Sequence, residues 1–306
     1  MKNRTSLRSA TLCATLALLL PLAAGAGTLK QTMTAPPGGV LRIELDYGAV
    51  SVVSHDADEV RVDARAHGMG ASGFAFELRQ DAEGLKLAGR AGSWLQFMSM
   101  VPSVEVRAWV PRWLVVEVET RDGSVEVASV GGALVRAREG SIRVRDVAGA
   151  VDVETTRGFT GPQAEAAGAI DVFGVGGDVR ASSSGARIHV SGVAGNVEAR
   201  AGGGEIEIDG VSGEVVAITS DAAILARFTR APAGVFETDG GRIQIAFPAD
   251  VGARLDATAR GGCIFVDRDA SSACGTRVGT GGSAHTSGLA DLELRAGDGG
   301  IRLQTL

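Results

Sequence analysis

The residues of this chain best suited to chemistry are its recurring acids, two late cysteines and four histidines. Asp152, Asp171, Glu198, Glu205, Glu207 and Asp209 stand in short alternating segments and are expected to point outward. A glycosidase needs two carboxyl groups about 5–10 Å apart across a cleft, and strands stacked about 4.8 Å apart could supply such a pair. Arg143, Arg145, Arg180, Arg187 and Arg200 are interleaved with these acids, however. Mixed signs favour a solvated surface laced with ion pairs. A serine nucleophile needs a histidine within hydrogen-bond reach. His55 and His67 fall in or beside turns, His189 in an alternating strand and His285 in a Gly-rich loop, and no G-x-S-x-G occurs. No catalytic constellation emerges.

Gly68-Met-Gly70-Ala-Ser-Gly73 matches a dinucleotide fingerprint in letters. The strand-like FAFELRQ follows it where a helix N-terminus would have to hold the pyrophosphate, so a hairpin loop is expected. Asp122, Asp239 and Asp298 each precede a glycine, but the spacing of calcium-binding nonapeptides is absent and Asp-Gly is an ordinary turn signal. Neither metal nor cofactor is expected. Cys263 and Cys274 are expected to form a disulfide worth roughly 3 kcal/mol; a metal site would need more soft ligands than the solitary His285.

The first 26 residues place Lys2, Arg4 and Arg8 before an apolar run ending in Ala24-Gly25-Ala26. This pattern predicts a secretory signal peptide and a mature protein starting near Gly27. Cys13 lies within the apolar run without the small residue expected before a lipidated cysteine. Removing the leader's three cations moves the formal charge from −6 to −9, which argues against nucleic acid or anionic lipid as partner. No later segment approaches the roughly 20 apolar residues of a membrane span.

The glycines, 44 in 306 residues, are periodic. They head the short alternating segments GSVEV (123–127), GSIRV (140–144), GAIDV (168–172), GARIHV (185–190) and GEIEI (204–208), with further copies at 241–245, 262–266 and 300–303. Between them runs Val-x-Gly-x-Val, starting at Val147, Val175, Val193 and Val211, with a looser copy at Val130; the steps are 17, 28, 18 and 18 residues. Two strands per period of about 18 predict an all-β solenoid. Alternation puts Ile142, Val144, Val151 and Val153 in its interior, stacked on Ile170 and Val172. A lone coil would bury about four aliphatic side chains, each worth roughly 1.5–3 kcal/mol, against about 1–2 kcal/mol of backbone entropy for each residue. It needs neighbours on both sides to fold. The long step contains TTRGFTGPQAE (155–165), read as an inserted or shortened coil. Five-residue strands are too short for an outer-membrane barrel.

Residues 27–119 carry longer alternating strands and are expected to form a β-rich N-terminal region capping a solenoid of residues 120–306. The segment DAEG (81–84) reads as a hairpin turn. Alternation points Trp109 and Trp113 outward beside WLQFMSM (94–100), which carries Trp94 and Phe97. Either this loop folds over the two tryptophans as a satellite core, or Trp94, Phe97, Trp109 and Trp113 form an exposed patch for a partner protein or a sugar ring.

GAVSVVSHDADEVRVDA (48–64), VEVRAWVPRWLVVEVETRDGSVEV (104–127) and the Gly-headed repeats together resemble the putative-adhesin β-strand-repeat family of bacterial envelope proteins. The resemblance covers most of the mature chain. It implies an exported β-solenoid and supplies no catalytic or ligand residues to carry over. The insertion AGSWLQFMSMVPS (91–103) and the cysteine pair depart from the family pattern. The resulting expectation is an exported, non-catalytic, adhesin-like binding or structural module, periplasmic or at the cell surface, with an unknown envelope protein, extracellular protein or glycan as partner. The alternative is a polysaccharide-acting β-helix enzyme using outward carboxylates.

Overall fold

The computed structural model describes residues 27–92, 102–156, 168–251, 253–266, 271–274, 277–279 and 290–306, with the backbone alone at 271–274, 277–279 and 290. The chain is a β-solenoid in which each coil gives one strand to each of two long sheets, of 14 and 13 strands. Among the described residues no helix is long and apolar enough to cross a membrane.

The expected register is present. Ile142 pairs in parallel with Ile170, and the column continues through Ile188, Ile206, Ile224 and Ile243. Each of these side chains is fully buried, as are Val144, Val153 and Val172, while Val151 is 2 % exposed. Stacking like on like at one strand spacing lets each branched side chain repeat the rotamer and contacts of the one below, so one coil's packing solution serves its neighbours. The long step is an insertion at a corner. The strands Val151–Thr155 and Ile170–Val175 pair directly with the coils on either side, so the ladders run past it; residues 157–167 lie outside the described residues.

The corners explain Val-x-Gly-x-Val. Val147, Val175, Val193 and Val211 are buried at the turn from the larger sheet to the smaller. Each is preceded by a residue in the left-handed region, Asp146 (φ 56°), Gly174, Gly192 and Gly210 (each φ 65°). The glycine two residues after the valine has a different cause: a β-carbon on Gly149 would lie 2.5 Å from the Gly131 carbonyl oxygen, and one on Gly213 would lie 2.5 Å from that of Gly195. Strand-heading glycines are not all alike either. Gly123 and Gly140 have the positive φ that a sharp corner requires, whereas at Gly204 the constraint is the neighbouring coil, with the Ala186 carbonyl 1.9 Å from where a β-carbon would sit.

The opposite corner is held by buried hydroxyls. Thr120, Thr155, Ser183, Thr219 and Thr238 occupy equivalent inward positions in the smaller sheet. Ser183 Oγ accepts hydrogen bonds from the N–H groups of Gly185 (3.2 Å) and Ala186 (2.7 Å). Thr219 Oγ1 donates to the Gly204 carbonyl at 3.1 Å, and Thr238 Oγ1 donates to that of Ala222 while accepting the Gly241 N–H. Corner backbone groups that face the dry interior are thereby satisfied.

At both ends the coils are out of chain order. Strands Val40–Tyr47 and Ala49–His55 lie between a later coil, Gly84–Ala91 with Ser103–Pro111, and the coil of Val115–Asp122 with Val125–Ala128. Parallel coil pairing therefore begins well upstream of residue 120. Likewise Ala290–Ala296 and Ile301–Thr305 slot between Gly234–Thr238 with Ile243–Phe247 and Ala253–Ala259 with Cys263–Val266. Antiparallel strands close the stack beyond: Glu59–His67 on Ser103–Pro111 and Phe74–Gln80 on Gly84–Ala91 at one end, Ser271–Cys274 on Cys263–Val266 at the other. The turn at 81–84 is the expected hairpin, with Asp81 Oδ1 accepting the N–H groups of Glu83 and Gly84. Gly68 to Gly73 does not close a hairpin. It carries the chain from Glu59–His67 in one sheet to Phe74–Gln80 in the other through a 3-10 turn at Ala71–Gly73.

The register makes a paired prediction. Ile142→Asp places a charge in a dry core and is expected to cost several kcal/mol, whereas Arg143→Asp, one residue along and outward, is expected to cost about 1 kcal/mol or less. Urea denaturation of both variants checks this, and equal tolerance would refute the register.

Candidate functional site

Trp109 is on the outer face of the 14-stranded sheet, half-buried, with Arg61 beside it on one neighbouring strand and Val53 on the other. Val53 is 36 % exposed. Trp113 is 42 % exposed but owes this to a turn rather than to strand alternation: Leu114 N–H donates to the Pro111 carbonyl (3.0 Å), and the next strand starts at Val115. Arg112 anchors the turn to Asp56 at 3.2 Å. Trp94 and Phe97 lie outside the described residues. The structure thus brings Trp109 and Trp113 to one end of the solenoid, four residues apart, on a sheet face and at a corner.

Among the described residues, the aromatic side chains that point outward from strands are Trp109, Phe173 and Phe265, and all three are on the 14-stranded sheet. Phe173 meets the His189 ring edge-on at 5.1 Å. Phe265, 45 % exposed, has the Arg302 guanidinium 6.0 Å from its ring centre. Both extend the aromatic character of this face beyond the patch the sequence suggested.

The six outward acids do not converge. Asp152 and Glu198 are on the 13-stranded sheet, while Asp171, Glu207 and Asp209 are on the opposite face of the molecule and Glu205 leads into that sheet. The two sheets alternate along the chain, so acids on successive strands are thrown to opposite sides. Three of the six are also paired with arginines. Glu198 accepts from Arg200 (2.7 Å) and Arg180 (3.0 Å), which hold its carboxyl below the ordinary carboxylate range, Arg200 first. Asp171 lies between Arg143 (3.4 Å) and Arg187 (3.9 Å), and Asp209 lies 3.6 Å from Arg227. Glu126–Arg145 (2.9 Å) and Glu154–Arg136 (3.5 Å) extend the pattern. A cavity of about 460 Å³ on the smaller sheet is lined by four carboxylates, such as Glu44 and Glu119, and four arginines, such as Arg90 and Arg136. Its charges balance.

Asp122 and Glu139 form a carboxyl pair in direct contact. They are register partners on adjacent coils with hydrogen-bonded side chains. Partial desolvation and then the Glu139 charge push the Asp122 carboxyl above its ordinary range. The two groups touch each other, leaving no room between them for a glycosidic bond.

The remaining sequence candidates are dispersed. Cys263 is disulfide-bonded, and Cys274 stands directly opposite it in the antiparallel ladder. His55 Nε2 is 2.6 Å from the Glu59 carbonyl oxygen, and His285 lies outside the described residues. No group of three potential metal ligands occurs among the described residues. The glycines at 68–73 lead into a strand, so no helix N-terminus is available to a phosphate.

Because Asp122 is harder to ionise in the folded chain than in the unfolded one, its charge opposes folding at neutral pH, and the penalty fades as pH falls through the raised folded value. Asp122→Asn is therefore expected to raise Tm at pH 7 and to lose that advantage near pH 4. Thermal melts across this range check the sign.

No family model matches the chain, and no curated protein does. Among solved structures, a "putative cell adhesion protein" from Clostridium sporogenes ATCC 15579 shares 8 % identity at a TM-score of 0.22, over 91 % of this chain and 100 % of that one. A "putative adhesin" from Bacteroides fragilis NCTC 9343 shares 7 % identity at a TM-score of 0.35, over 93 % and 100 % respectively.

Proposed function

We propose that this chain is an exported, non-catalytic β-solenoid serving as an adhesin-like binding or structural module of a bacterial envelope. The observation that carries the reading is the division of surface chemistry between the two sheet faces. Outward carboxylates are dispersed over opposite sides and mostly matched by arginines, whereas outward aromatic rings gather on one side. Aromatic side chains combine large contact area with little rotamer entropy, which suits binding. Against the polysaccharide-acting enzyme alternative stands the division of its six outward acids between opposite faces, with Asp171, Glu198 and Asp209 held by arginines. In this reading residues 1–26 are removed on export, and Cys263 and Cys274 form a bridge that locks the C-terminal end of the stack.

The binding surface on this account includes Trp109 and Trp113, together with Trp94 and Phe97 as the sequence suggests. Iodide quenching of tryptophan emission tests it on the isolated protein. Appreciable quenching is expected, and Trp113→Phe is expected to reduce it. Protection of all the indoles would show that the loop closes a satellite core, and the surface would be withdrawn.

A further inference from the structure

The opposite face carries a groove that the tryptophan surface does not involve. Its volume is about 770 Å³, and it runs along the solenoid axis over six consecutive strands of the 13-stranded sheet, from Val115–Asp122 to Val215–Thr219. Five steps of about 4.8 Å give it a length of roughly 24 Å. Small residues at successive corners, Gly131, Gly132 and Ala150, leave the depression. The floor is apolar: Val115 is 39 % exposed, and Leu134 and Val216 are half-buried along the same surface.

The charge of this groove is one-sided. Five carboxylates line it, Glu117, Asp152, Asp178, Glu198 and Glu214, against the single guanidinium of Arg180. Glu117 is neutralised by Arg42 at 2.8 Å, and Glu198 by Arg180 and Arg200. Asp152 shares Arg180's field. Asp178 and Glu214 have no cationic partner among the described residues. Asp178 Oδ1 accepts the Asn196 N–H (2.8 Å) and Asn196 Oδ1 accepts the Glu214 N–H (2.9 Å), so this column fixes the corner while leaving negative charge at the rim. The balance contrasts with the matched cavity nearby on the same sheet.

We propose that this groove binds an extended lysine- or arginine-bearing segment of a partner protein. Charge complementarity names the sign of the occupant, and the apolar floor names its form. Lysine and arginine lay methylene stems on apolar surface while their heads reach a polar rim. Asp152 lies on the third strand of the groove, and Asp178 and Glu214 lie at the corners that lead into the fourth and sixth, so the acids recur at about 5–10 Å along the axis, a range that spans the roughly 7 Å between alternate side chains of an extended chain. The inference extends the binding-module reading, but its charges are independent of the aromatic surface.

The test uses the full mature chain and a fluorescein-labelled octapeptide alternating lysine and valine, with the glutamate–valine octapeptide as counter-probe. The basic peptide alone is expected to bind, more weakly as salt rises. Asp178→Asn with Glu214→Gln preserves both side-chain oxygens at the corner, so folding is retained, and is expected to weaken binding about tenfold or more. Glu77→Gln, at the N-terminal end of the same sheet, is expected to leave it unchanged. No binding of the basic peptide, equal binding of both peptides, or equal loss in the two sets of variants would overturn the proposal, and none of these results would bear on iodide quenching.

Discussion

Every feature of this molecule descends from the spacing of its parallel backbone ladder. Each coil hydrogen-bonds to the next through both strands and through the corners, where Gly149 N–H reaches the Gly131 carbonyl at 2.8 Å and Gly213 N–H reaches that of Gly195 at 3.1 Å. At this spacing Gly149 and Gly213 have no room for a β-carbon. The glycines of the repeat are thus a consequence of the ladder as much as of backbone dihedral angles. The same spacing lines up the isoleucines from Ile142 to Ile243 into one interior column, and lines up arginines with acids on the outside.

A parallel stack cannot simply stop, because its last strand offers unpaired N–H and C=O groups to any passing strand. The chain answers at each end by overlapping its own order before turning antiparallel. The coil first in sequence is second in space, and the coil last in sequence sits inside the one before it. Both ends are consequently tied by contacts between residues far apart in the chain, and neither terminal coil can peel away without disrupting its inner neighbour. The two broad faces are left free, one bearing aromatic rings and the other an acidic groove.

Much of this was legible from periodicity. Alternation of two identified Ile142 and Val144 as interior, and the spacing of 18 identified the coil. What it could not supply is informative. Asp146 gives no sign that it occupies the left-handed corner position filled by Gly174, Gly192 and Gly210 in other coils. The interleaved ends have no local signature, since Ile301 resembles Ile264 and Ile243 and could stack in either order. The outward acids were recognised as outward, but their division between two faces follows from the coil having two strands. Trp109 was readable by alternation; Trp113 faces solvent through the turn that begins at Pro111. The groove was not readable, because its depth comes from small residues that meet only when the coils stack. A column of serine and threonine at the second corner was visible in retrospect, at Thr155, Ser183, Thr219 and Thr238.

The central claim, that coil spacing sets the sequence, is tested most directly at adjacent glycines. A β-carbon on Gly204 would come 1.9 Å from the Ala186 carbonyl oxygen, whereas one on Gly203 would meet nothing within 4 Å. Equilibrium denaturation of Gly204→Ala and Gly203→Ala separates the two situations. A loss of about 1–3 kcal/mol in the first, with little change in the second, is the predicted result. Equal stability of both variants would contradict the ladder as the governing constraint.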